Sequence, residues 1–274
     1  MNFSNKKVMV LGASGGIGSA IARQLAQHGA ELILVGRQAV VLNKLATELR
    51  ALGSQVSIVT GNIAIDPVSI AKHAIHRVGD IDVVINSVGM QNFGFSQNEP
   101  AQATADLFAT NVTGPIQLIN ALLPHMLARN QGQIVNVGSI FGSIGFPCFA
   151  SYSASKFALR GYSEALRREL TDTAIKVNYV APRFTKTSFN RGAVTQMANA
   201  LKMNQDTPEL VAQQVIAALT SNRAYTYLGW PEKLFVRINA LLPHLVDGSL
   251  MKQVRQMRPF THLAALSSTD VIAE

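Results

Sequence analysis

Short uninterrupted runs of Val, Ile, Leu and Met alternate with longer stretches whose apolar residues recur at helical spacing, and this alternation constrains the fold more than any other feature. A strand with one wet face alternates apolar and polar residues. A run that is apolar throughout suits a strand buried on both faces, as in a parallel sheet held between helices. The runs predict strands at 8–11, 31–35, 55–60, 83–86, 133–137, 175–181 and 226–228. Helices are expected near 19–28, 39–51, 67–77, 100–129, 152–171 and 208–221. Right-handed crossovers return each strand in the same direction, so the expected fold class is α/β, a doubly wound parallel sheet of about seven strands. No linker or internal repeat divides the pattern. One domain is expected over 1–230, followed by a helical extension over 231–274.

The 274 residues are 48% hydrophobic and 15% charged, which excludes disorder, collagen and coiled coil. The single cysteine, Cys148, cannot close an intramolecular disulfide, and a reducing, cytoplasmic setting is expected. The start, MNFSNKK followed by VMVL, is too short in apolar residues for a signal peptide. No stretch approaches the ~18 apolar residues of a membrane span. His73 and His76 stand three apart without the further ligands a metal needs, so no metal is expected. The net charge of +8 favours anionic partners, but the basic residues are not interleaved with aromatics along one element, and nucleic acid is not expected.

Two segments break the rhythm. Residues 184–206 form a long connection before Thr207-Pro208-Glu209, a capped helix start, and read as a substrate lid. From 223 to 262 the chain carries six Lys or Arg against two acids, with Leu234, Phe235, Ile238, Leu241, Leu242 and Leu245 at mostly helical spacing. This basic amphipathic extension is expected to pack on the domain or at an oligomer contact, with peripheral contact to anionic lipid as the alternative.

Gly12, Ser14, Gly15, Gly16, Ile17 and Gly18 follow the first strand and open a helix, a placement that lets backbone amides and the helix N-terminus meet a pyrophosphate. The second strand ends at Gly36-Arg37, where an acidic residue would bind a ribose diol. Arg37 instead offers a fork for a 2′-phosphate, which points to NADP(H). Tyr152 and Lys156 lie one helical turn apart, so an ammonium can stabilise a phenolate, and Ser139 ends the fifth strand with a hydroxyl suited to a substrate oxygen.

Taken in order, these motifs resemble the short-chain dehydrogenase/reductase (SDR) family over about 6–230. Asn86 and Gly89 match its N-x-x-G segment, Asn111 stands in Asn111-Val112-Thr113-Gly114, and Pro182 and Thr187 match the stretch that covers the nicotinamide. The resemblance implies a Rossmann-type fold and a catalytic set of Asn111, Ser139, Tyr152 and Lys156. Tyr152 is then the proton donor to a carbonyl, Ser139 its polarising partner, Lys156 the group that lowers the tyrosine pKa and holds the nicotinamide ribose, and Asn111 part of a water relay. It also implies a homodimer or homotetramer through the helices near 100–129 and 152–171. The sequence departs from the family at Leu11, at Asn62 where an aspartate normally meets the adenine, at Ser87-Val88, at Gly138 where serine is common, and at Arg183 after Pro182. Arg183 is expected to reshape substrate entry or to bind an anionic group.

Met90, Phe93, Phe95, Phe141, Phe146, Phe149, Phe184 and Phe189 cluster around the expected site, which suggests an apolar substrate, lipid-like, 3-oxoacyl or steroid-like. The same residues would also serve as core. Arg129, Arg167 and Arg168 are candidates for meeting an acidic carrier protein. The competing reading is a catalytically idle NADP(H)-binding module with a regulatory or membrane-surface role.

Overall fold

The computed structural model describes residues 3–269, so the last five residues of the expected extension lie outside the described residues. Seven strands form one sheet: β1 (Lys7–Leu11), β2 (Glu31–Gly36), β3 (Val56–Thr60), β4 (Val83–Asn86), β5 (Gln133–Val137), β6 (Lys176–Ala181) and β7 (Tyr225–Tyr227). Every pairing is parallel, and the order is β3-β2-β1-β4-β5-β6-β7. In register, Val10 lies between Leu34 and Ile85. This is the expected Rossmann-type doubly wound fold.

Alternate residues of the same strands enter two separate cores, which is why the runs are apolar throughout. Val8, Val10, Leu32, Leu34, Val83 and Ile85 pack on one face under α1 (Gly16–Gln27), α2 (Ala39–Ala51) and α8 (Pro208–Ser221). Met9, Leu11, Ile33, Val35 and Val84 pack on the other under α3 (Pro67–Val78), α5 (Gly114–Ala128) and α6 (Ala150–Glu169). The start of α8 forms as expected: the Thr207 hydroxyl accepts from Leu210 N, Pro208 occupies the first turn, and Glu209 sits at the positive end of the dipole.

The single helix expected near 100–129 is divided. A short α4 (Ala101–Phe108) runs through a π turn (Ala109–Thr113) into α5. Pro115 has no N–H to return to the carbonyl of Asn111 four residues earlier, so the α-helical ladder fails there. Gly114 lets the widened turn press against the β3–α3 connection, because a Cβ at that position would overlap the Ile63 carbonyl. The segment 184–206 contains α7 (Ala193–Ala200) and is tied at its base by a bridge between Thr185 and Asp206. Beyond β7, α9 (Glu232–Leu241) and α10 (Pro243–Thr269) pack on each other, and α10 packs on α7. No helix among the described residues is long and apolar enough to cross a membrane.

Candidate active site

At the carboxyl ends of the strands, where the order reverses between β1 and β4, lies a cleft of about 250 Å3, the position at which doubly wound sheets bind ligands. Of the expected cofactor residues, Gly12, Ser14, Gly15, Gly16, Ile17, Gly18, Arg37, Asn62, Gly89, Tyr152, Lys156, Pro182 and Thr187 line it. Gly12 turns the chain at φ +77°, and a side chain at Gly18 would overlap the Gly12 carbonyl, so this turn closes only with glycine at both positions. Gly15 caps α1 with no side-chain hydrogen bond, which leaves the first amides of the helix open to an anion. Thr187 covers the turn from the far side; its methyl carbon would lie 2.6 Å from a Cβ on Gly16. Arg37 is exposed at the cleft wall and belongs to none of the ion pairs among the described residues. These features fit a dinucleotide.

Asn86 is a correction. It is fully buried and does not line the cleft. Its amide donates to Asn136 Oδ1 at 3.0 Å and its Oδ1 accepts from Val88 N at 3.3 Å, so it braces the loop whose Ser87, Val88 and Gly89 face the cleft. Ser87, a departure from the family pattern, ties that loop to β1 by donating to Leu11 O at 2.7 Å.

A second cavity of about 440 Å3 adjoins the cleft, and Ser139 and Tyr152 line both. Phe141, Phe146, Phe149, Phe184 and Phe189 form its walls, whereas Met90, Phe93 and Phe95 pack with the first four in one apolar cluster. The C-terminal extension supplies another wall through Phe235, Ile238, Leu245, Val246 and Leu250, which its amphipathic pattern alone did not disclose.

Ser139 Oγ accepts from Phe141 N at 3.1 Å, which leaves its hydroxyl proton for another acceptor. Burial pushes the Tyr152 phenol up to about 12, partly offset by a hydrogen bond with Ser139. Lys156 Nζ lies 5.7 Å from the centre of the Tyr152 ring, and burial lowers it to about 8. Burial thus works against the lowering expected from Lys156, because it disfavours the charged phenolate.

Asn111 also differs from expectation. Its amide donates to Met90 O at 2.9 Å and Ser155 Oγ at 3.0 Å, and its Oδ1 accepts from Met90 N at 2.8 Å. The side chain braces Met90 and the start of α6, and both its amide protons are committed.

Arg183 is not a free cation. It donates to Asp206 Oδ1 at 2.8 and 3.0 Å and to Glu232 Oε2 at 3.1 Å, which ties the 184–206 segment to α9. Two carboxylates neutralise it, which overturns the expectation that it binds an anionic group. Arg129, Arg167 and Arg168 likewise do not assemble at the entrance. Helices run antiparallel to the strands they cover, so the ends of α5 and α6 fall at the opposite edge of the sheet. There Arg129 pairs with Asp80 and Asp82, Arg167 stacks on Tyr225, and Arg168 pairs with Glu164.

Tyr179, which sequence reasoning did not single out, explains the departure at Gly138. Its fully buried ring fills the space that a side chain at 138 would occupy, and its hydroxyl contacts the Ser139 main chain at 3.3 and 3.4 Å and Lys156 O at 3.5 Å. Restoring the common residue should therefore harm the protein. Gly138→Ser is expected to destabilise it by about 3 kcal/mol, the upper end for overpacking. Combining it with Tyr179→Val should cost less than the sum of the two single changes. Denaturant midpoints of the four proteins check this, and strict additivity would remove the explanation.

The short chain dehydrogenase family model matches residues 6–198. The chain is 33% identical to "Dehydrogenase/reductase SDR family member 7B" of Bos taurus, over 94% of this chain and 84% of that protein. It is 30% identical to "Uncharacterized oxidoreductase YxnA" of Bacillus subtilis, over 89% and 71% of the two chains. Among solved structures, an actinorhodin polyketide ketoreductase with NADPH superposes with a TM-score of 0.74 at 26% identity, covering 82% of this chain and 95% of that one. An SDR from Burkholderia phymatum in complex with NAD superposes at 0.82 with 24% identity, over 92% and 96%, and attests the fold. With its nucleotide turn, its Ser139, Tyr152 and Lys156 and these matches together, the chain belongs to the short chain dehydrogenase family of oxidoreductases.

Proposed function

We propose that the protein is an NADP(H)-dependent oxidoreductase that interconverts a carbonyl and a hydroxyl on an apolar substrate, lipid-like, 3-oxoacyl or steroid-like. One observation carries the reading: Ser139 and Tyr152 stand on the wall shared by the glycine-lined cleft and an aromatic cavity. A nicotinamide bound in the cleft supplies or accepts the hydride. In reduction, the Tyr152 hydroxyl gives its proton to the carbonyl oxygen, and in oxidation the same atom takes the proton back. The Ser139 O–H donates to that oxygen where negative charge develops. Lys156 keeps a positive charge beside the phenol below about pH 8, which favours the phenolate left by proton transfer. The side chain of Asn111 is held by Met90 and Ser155, so a water relay at this residue would run through its main chain.

The choice of NADP(H) rests on Arg37 and the lack of an acidic residue at the end of β2. Arg37→Ala is expected to weaken NADPH binding about tenfold or more and to leave NADH within about twofold, because only the 2′-phosphate loses a partner. Equal losses for both nucleotides would refute the assignment. We also propose a cytoplasmic homodimer or homotetramer, supported by Leu127 and Phe157 exposed on α5 and α6.

Calorimetric titration with NADPH and NADH side by side tests the reading. Ketones, 3-oxoacyl thioesters and steroids are then added while the nicotinamide absorbance is followed. Tighter NADPH binding with turnover of an apolar carbonyl is expected. Binding of neither nucleotide overturns it, and NADPH binding with no turnover of any of these substrates favours the idle module.

A further inference from the structure

The inner side of the C-terminal extension faces the domain and walls the cavity. Val236, Val246 and Met257 are buried against the domain, yet the extension keeps large apolar side chains in water. Trp230 is 65% exposed, Leu241 80% and Leu245 56%, and Leu234, Phe235 and Leu242 are exposed as well. A helix that only packs on its own domain turns its polar residues outward. Such a concentration of outward apolar residues between positions 230 and 245 marks an interaction surface.

Two further observations say what covers it. Phe235 and Leu245 are at once exposed and part of the cavity wall that leads to Ser139 and Tyr152, so the cavity opens at this surface. The same two helices carry exposed Arg237, Lys252 and Arg255. Of the nearby carboxylates, Glu232 is engaged by Arg183 and Asn204, which leaves Asp247. Apolar residues set among uncompensated cations match the boundary between acyl chains and anionic headgroups. A second copy of this chain would instead bring the same cations face to face across a two-fold axis.

We propose that α9 and the N-terminal half of α10 dock on an anionic bilayer surface and that the substrate enters the cavity from the lipid. The entry step rests on the apolar-substrate reading above; the docking itself does not.

Trp230 is the sole tryptophan of the chain, so its emission reports on this surface alone. The intact protein is titrated with phosphatidylcholine vesicles and with vesicles of mixed phosphatidylcholine and phosphatidylglycerol. A blue shift and co-sedimentation with the mixed vesicles are expected, both weakened by salt. The double variant Leu241→Asp, Leu242→Asp changes two exposed residues outside the cavity. It should weaken vesicle binding about tenfold or more, leave turnover of a small water-soluble ketone unchanged, and slow turnover of a long-chain ketone dissolved in vesicles. Absence of binding to the mixed vesicles, or unchanged binding by the double variant, overturns the docking. A blue shift that grows with protein concentration without lipid, alongside dimers in sedimentation equilibrium that the double variant abolishes, also overturns it, since a second copy then covers the surface. Vesicle binding without turnover of any carbonyl would leave the docking standing and remove the apolar-substrate reading. Turnover of long-chain ketones without vesicle binding would do the reverse.

Discussion

Replacing Tyr152 by Phe is expected to lower turnover by about three orders of magnitude, within the range for losing a positioned general acid, and to leave NADPH affinity nearly unchanged. The substitution removes one oxygen from a ring that is otherwise held by its neighbours. The Tyr152 ring packs against Phe141, Phe149 and Phe189 at centroid distances of 6.2, 6.3 and 6.2 Å, and Phe keeps those contacts. The helix dipole and glycine turn that would receive the pyrophosphate lie elsewhere in the cleft. Steady-state kinetics with the parent's best substrate, paired with calorimetry, separates the two effects. A variant that still turns over within about tenfold of the parent would place the proton donor on another group.

Lys156→Met is expected to be inactive and, at pH 7, more stable than the parent. The lysine is 3% exposed, and no carboxylate among the described residues lies within ion-pair distance of it. Burial holds its pKa at about 8 against an ordinary 10.5. The unfolded chain therefore binds this proton more tightly than the folded one. Carrying the charge into the interior disfavours folding below about pH 8, by up to about 3 kcal/mol at 1.36 kcal/mol per pH unit. Between about 8 and 10.5 the folded lysine is already neutral while the unfolded one is losing its proton, so the penalty fades and is gone above 10.5. Denaturant midpoints of parent and variant measured at pH 7 and pH 10 should show a gap that narrows with rising pH. A variant less stable than the parent at pH 7 would mean that the ammonium gains more from its surroundings than burial costs. The positive charge at this site is thus expected to serve the phenolate rather than the fold.

The strands, most of the helices and the nucleotide turn were legible in the sequence because each follows from neighbours along the chain. Continuous apolar runs are a local signal, and Val8 to Leu11 read as a doubly buried strand before any partner is known. The break at Asn111 was legible in principle, since Pro115 cannot close an α-helical hydrogen bond to it, but the long apolar pattern of 100–129 masked it. Tyr179 carried no signal. It reads as one more strand residue until its hydroxyl is seen against Ser139 and in the space above Gly138. Asn86 matched a motif, yet its role depends on Asn136, 50 residues away.

Periodicity and motif spacing by themselves determined the parallel α/β sheet, the position of the glycine turn after β1, and the placement of Tyr152 and Lys156 on one helix face. Only the tertiary structure decided which charges are free. Arg183 looked like an anion site until Asp206 and Glu232 closed on it, and Arg129 looked like an entrance residue until the antiparallel run of α5 carried it to the far edge. It also decided that Tyr152 and Lys156 are buried together beside the cleft, and that the C-terminal extension walls the aromatic cavity. The physical reason is the same in each case. Secondary structure follows from interactions a few residues apart, whereas desolvation, ion pairing and cavity walls come from groups that meet only when distant segments pack.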